Sequence, residues 1–154
     1  MVFLAGPGAA YAGNILNNFD VLIPGRVKEP MTSTKWRVKL ETPASTQYLH
    51  IVRLTAAGAA AEAGLDAEEV DDVKIAVDEL CSVAMAATTE TAPLLLEFVA
   101  IDGGLIVEAT LPAGTQIEVD DMGRAILDAT VDELEFDEHT LGGGFRLTKN
   151  HRGG

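Results

Sequence analysis

The sequence predicts an α+β two-layer sandwich, a mostly antiparallel sheet covered on one face by helices. Three observations carry that expectation. Two helical patterns follow one another directly, a strand–turn–strand signal comes immediately after them, and two further strand patterns close the chain, so helices and strands are grouped rather than alternating one for one. Grouping of that kind excludes a doubly wound parallel sheet. The length of 154 residues and the 47% hydrophobic content suit one domain with a proper core.

The first thirty residues read differently from the rest. Gly6, Pro7, Gly8, Gly13, Pro24, Gly25 and Pro30 interrupt both helix and strand, and the apolar start lacks the basic residues of a secretory signal. Asp20 and Glu29 cancel Arg26 and Lys28, so the acidity of the chain lies beyond Pro30. Residues 1–30 are expected to be a tail outside the domain, which then occupies 31–154 and begins near Met31. Removing the tail is expected to leave the melting temperature nearly unchanged.

Trp36 to Glu41, WRVKLE, alternates apolar and charged residues at period two and predicts an edge or outer strand. Thr42 and Pro43 predict a helix start, threonine as cap and proline at the first helical position. That helix is expected to run to about Glu62 with Tyr48, Ile51, Val52, Thr55, Ala59 and Ala63 near one face, and Gly64 ends it. The longest helical pattern is Asp66 to Thr88. Its Val70, Val73, Val77, Leu80, Cys81 and Ala84 recur at three- and four-residue spacing, and Asp66 with Glu69 predicts a capping box.

Leu94 to Ile101, Asp102-Gly103-Gly104 and Leu105 to Leu111 predict a hairpin. Pro112, Gly114, Glu118, Asp120 and Asp121 mark a loop, Met122 to Thr130 a short helix, and Val131 to Phe136 a strand. Gly142-Gly143-Gly144 then leads into a last strand through Phe145 and Leu147.

Composition excludes several functions. A formal net charge of -13 repels phosphate backbones and anionic lipid, so neither nucleic acid nor a membrane surface is an expected partner, and a basic protein is favoured. No apolar run is long enough to span a bilayer. The single cysteine, Cys81, lies on an apolar helical stripe and reads as a small buried hydrophobe; the chemistry expected is cytoplasmic. His50, His139 and His151 are too scattered to predict a metal site, and no phosphate-binding GK[ST] or nucleophile-elbow motif is present.

The helix IAVDELCSVAM, the run GLDAEEVDDVK before it, the strand-DGG-strand hairpin and the closing GRAILDATVDELEF and GGGFRLTKN segments together resemble the anti-sigma-factor serine kinases. These belong to the histidine-kinase-like ATPase superfamily, and the divergent actinobacterial type is the most similar. The resemblance spans about Trp36 to Lys149. It implies a protein that holds a sigma factor inactive as a homodimer, is countered by an anti-anti-sigma factor, and in active members phosphorylates that competitor with Mg-ATP. It makes Glu79 the candidate catalytic base and Arg53 the candidate partner-binding residue.

The nucleotide motifs implied by the resemblance are degraded. The position one turn after Glu79, where the family carries a magnesium-binding asparagine, is Val83, and Ala87 follows a turn later; valine has no lone pair to offer a metal. The Asp-x-Gly-x-Gly box is reduced to Gly114 in Leu111-Pro112-Ala113-Gly114, and the phosphate-cradling loop to Gly123 before Arg124. Thr115 to Asp121 is short for a nucleotide lid and holds three carboxylates. The expectation is an anti-sigma factor with no cofactor and no metal. The alternative is an active ATP-dependent serine kinase whose ATP and magnesium sites are compensated by other residues. A third reading uses the fold only for dimerisation.

Overall fold

A computed structural model describes residues 2–5, 33–137 and 143–153. In chain order these form β1 (Val2–Ala5), β2 (Thr34–Pro43), α1 (Leu49–Glu62), α2 (Ala67–Ala86), β3 (Pro93–Ile101), β4 (Gly104–Leu111), α3 (Asp121–Thr130), β5 (Glu133–Asp137) and β6 (Gly143–Asn150). The strands make one sheet in the order β1-β2-β3-β4-β6-β5, every neighbouring pair antiparallel. The α+β sandwich expected from the sequence is therefore present.

One face of the sheet makes the main core. Leu94, Leu96 and Phe98 of β3 and Leu105, Val107 and Ala109 of β4 lie under Val52, Ala56 and Ala60 of α1 and Val73, Val77 and Leu80 of α2. Alternation along each strand puts these residues on one side. The β3–β4 hairpin closes as the sequence predicts: Ile101 pairs with Gly104 across Asp102-Gly103, and Gly103 has φ +78°, which glycine adopts without steric cost. Gly144 permits a close approach of β6 to β4, since a Cβ there would stand 2.0 Å from the Ala109 carbonyl oxygen.

Several boundaries differ from expectation. Thr42 and Pro43 do not open a helix; they end β2, paired with Leu94 and Pro93, and α1 starts only after a 3-10 turn at Thr46–Tyr48. The long-range pairing with β3 outweighs a local cap, and Thr42 is buried in it. The buried face of α1 is also rotated. Val52, Ala56, Ala59 and Ala60 are inside, whereas Ile51 is exposed, because the small alanines let α1 lie close against α2. Val131 ends α3 with an extended backbone, so β5 begins two residues later than predicted.

β2 is not at the edge of the sheet. Val2–Ala5, within the stretch expected to be a tail, pairs along it with Val2 opposite Leu40 and Ala5 opposite Arg37. Residues 6–32 and 138–142, the latter with His139 and Gly142, lie outside the described residues.

Candidate nucleotide and partner site

α2 is fixed at its start by the predicted capping box. Asp66 Oδ1 accepts from Glu69 N and Glu69 Oε2 accepts from Asp66 N, both at 2.8 Å. Glu69 does more than cap. It is 1% exposed, and its two oxygens also accept from Arg152 N at 2.6 Å and pair with His151 Nδ1 at 2.8 Å. Burial by itself raises the Glu69 pKa, but the bonds from Arg152, His151 and Asp66 and the charge of His151 prevail and hold the carboxyl at about 2. His151 moves the other way, raised first by its hydrogen bond to Glu69 and then by that carboxylate's charge.

This grouping was not legible from spacing. Asp66, Glu69 and His151 each bring a potential ligand atom within 4.8 Å of the others. Their facing lone pairs are occupied by the cap and by the chain end, so the cluster fastens residues 151–152 to α2. The signal for it, a histidine just after the last strand, becomes meaningful only once β6 is placed beside β4.

Further along α2, Cys81 is buried and its thiol is pushed up to about 12 by burial and then by the Asp78 charge. It is the small buried hydrophobe that its place on the helical stripe predicts. Ser82 Oγ donates to the Asp78 carbonyl at 2.7 Å and is committed to its own helix.

Glu79 and Gly123, far apart in sequence, meet. A Cβ built on Gly123 would lie 2.6 Å from Glu79 Oε1, 2.8 Å from Val119 Cγ1 and 3.2 Å from Asp120 Oδ1. A side chain at this approach of α3 to α2 would have to displace the Glu79 carboxylate and Val119. The Gly123 amide donates to Asp120 Oδ1 at 2.7 Å, so α3 is capped by its own chain. Gly114 is not part of this meeting point. It turns the chain after β4 with φ +82°, and the neighbouring Pro112 and Thr115 press on Gly143 of β6.

Val83, partly exposed one turn after Glu79, brings no oxygen, and the Gly123 amide already serves Asp120. Asp120, Asp121 and Glu79 add negative charge there. Arg124 lies 5.4 Å from the centroid of the Phe136 ring, and Lys149 pairs with Asp72.

Arg53 lies on α1 and its guanidinium clasps the Asp78 carboxylate, with Nε donating at 3.1 Å and Nη2 donating to the same oxygen. The pair is well exposed and ties α1 to α2 immediately beside Glu79. Large apolar side chains stand out in the same stretches. Leu54 next to Arg53 is 70% exposed, Met122 next to Gly123 is 74% exposed, and Ile75 one turn before Glu79 is exposed as well.

The antiparallel sheet with helices on one face and the capped acidic α2 is the α+β sandwich that the resemblance implies. The relatives agree with the resemblance read from the sequence. The chain is 40% identical over 55 residues to the serine-protein kinase RsbW of Bacillus pumilus, covering 36% of this chain and 34% of that protein. It is 40% identical over 48 residues to RsbW of Bacillus subtilis, covering 31% and 30% respectively. Each match thus spans about a third of the curated relative's length. No protein-family model matches. Among solved structures, the RsbU and RsbW domains of Rv1364c from Mycobacterium tuberculosis superpose with a TM-score of 0.61 at 18% identity, over 74% of this chain and 31% of that one, a likeness of fold.

Proposed function

We propose that the chain is an anti-sigma regulatory factor that sequesters a sigma factor, as a homodimer in the cytoplasm, and is relieved by an anti-anti-sigma protein. The protein works by binding and takes up Mg-ATP weakly or not at all. The observation that carries this reading is that Glu79 meets a Gly123 amide already committed to Asp120, while Val83, one turn along α2, has no oxygen to offer a metal. Exposed Leu54 beside Arg53, with Ile75 on α2 and Met122 on α3, supports a protein-binding role for the helical layer. No described helix is long and apolar enough to cross a membrane.

The kinase reading rests on Glu79 itself, which stays partly exposed on α2. Titration of the protein with Mg-ATP, followed by incubation with labelled ATP and a candidate anti-anti-sigma protein, separates the two. The binding reading expects no heat of association at micromolar ATP and no label on the candidate. Micromolar affinity with phosphate transfer that Glu79→Gln abolishes establishes the kinase instead.

A further inference from the structure

α1, α2 and α3 cover one face of the sheet, and the opposite face is nonetheless shielded. Glu97, Val99 and Ile101 of β3 stand opposite Glu108, Ile106 and Gly104 of β4, on the side away from the main core. Val99, Ile101 and Ile106 form a second apolar cluster, each at most 8% exposed. The Glu97 side chain on the same face is 2% exposed and bonds Arg37 Nη1 at 2.7 Å. Among the described residues, no apolar side chain of another element packs on this cluster. A sheet face in water leaves its side chains accessible, so burial this deep requires a cover.

We propose that this outer face of β2, β3 and β4 is the docking surface for residues 14–23 of the same chain. Chain length and placement argue first. β1 runs antiparallel beside β2 with Ala5 opposite Arg37, and neighbours so arranged are ordinarily joined by about two to five residues. Here residues 6–33 lie between them, enough to cross the sheet and return. The sequence argues second. Ile15, Leu16, Phe19, Leu22 and Ile23 recur at the spacing of one helical face, after Asn14 as a cap and before Pro24 as a stop. Elimination argues third. The other internal stretch outside the described residues, 138–142, joins β5 to β6 at the far edge and brings a single large apolar side chain, Leu141.

The test links the two surfaces in the full chain. With Cys81→Ala as background, Ile106→Cys is combined in turn with Leu16→Cys, Phe19→Cys and Ile23→Cys, and each protein is oxidised and separated without reductant. A disulfide within one chain in at least one pairing is expected. Links formed only between two chains assign the face to a second copy and overturn the proposal, as does the absence of any link. Independently, removing residues 1–30 is expected to lower the melting temperature by at least about 5 °C and to raise binding of an apolar dye. A shortened chain with unchanged melting and dye binding overturns it too. The cysteine pairs decide the matter even where the shortened chain does not fold.

Discussion

Arg53 is the residue proposed for partner binding, and its pairing with Asp78 sets how much it can contribute. The guanidinium is half in solvent and already paired with Asp78, so a partner carboxylate exchanges one ion pair for another. A central, desolvated arginine contributes about 2 kcal/mol or more to an interface. Against an exposed intramolecular pair worth at most about 1 kcal/mol, the net effect remains readable. Arg53→Ala is expected to weaken sigma-factor binding roughly tenfold, measured by titration, while Asp78→Ala is expected to leave binding equal or tighter. Unchanged affinity for Arg53→Ala removes the residue from the interface. Resemblance singles out Arg53 and Glu79 in the sequence, and the structure places both on the helical layer. The convergence of Glu79 on Gly123 was not legible, because it depends on how α3 crosses α2, which no local pattern encodes.

At the scale of elements, two long-range ties hold α2, and each has a measurable signature. The Glu69 carboxyl is depressed from 4.5 to about 2, so its stabilisation is present above pH 4.5 and is lost as pH falls toward 2. His151 is raised from 6.5; its contribution is full below that pH and fades as pH rises through the folded-state value. Urea unfolding across pH should give a plateau between about 4.5 and 6.5 with a decline on each side. In His151→Ala the alkaline decline should flatten. An identical alkaline limb in both proteins shows that the chain end is not fastened there.

The second tie is Lys149, fully buried on β6, whose Nζ donates to Asp72 Oδ2 at 2.8 Å and to the Thr130 carbonyl at 2.9 Å. It joins β6 to α2 and to the last turn of α3. Lys149→Met leaves Asp72 without its cation and is expected to cost about 3 kcal/mol in denaturant unfolding. The double change with Asp72→Leu should recover most of that. If the single variant is as stable as the parent, the buried pair contributes no specificity of this kind. Lys149 stands in phase with Phe145 and Leu147, so alternation along the last strand already turns it inward. Its partner Asp72 lies far back in the chain, and no local pattern names it.

Across the whole molecule, the sandwich, the hairpin, the capped long helix and the apolar stripe of α2 were legible because local periodicity and turn chemistry agree with the global packing. Sequence reading failed where packing overrode local preference. Thr42-Pro43 looks like a helix start until Pro93 pairs with it, and α1 turns its alanines rather than its larger residues inward. The net charge of -13 also acts at this scale. Association with a basic partner should slow as ionic strength rises, and stopped-flow mixing at increasing salt measures that dependence. A rate indifferent to salt removes charge steering from the recognition step.

The outer-face carboxylates have one more consequence. Register sets Lys39, Glu97, Glu108, Arg146 and Glu135 in a single row across β2, β3, β4, β6 and β5, with Arg37 bonding Glu97 from the adjoining row. A slip of β4 by one residue against β3 would turn Glu108 toward the helices, into a layer occupied by Leu, Val and Phe. Burying a lone carboxylate there costs several kcal/mol. The row therefore marks the strand alignment: misaligned pairings of these near-continuous apolar strands are penalised before the helices close over them.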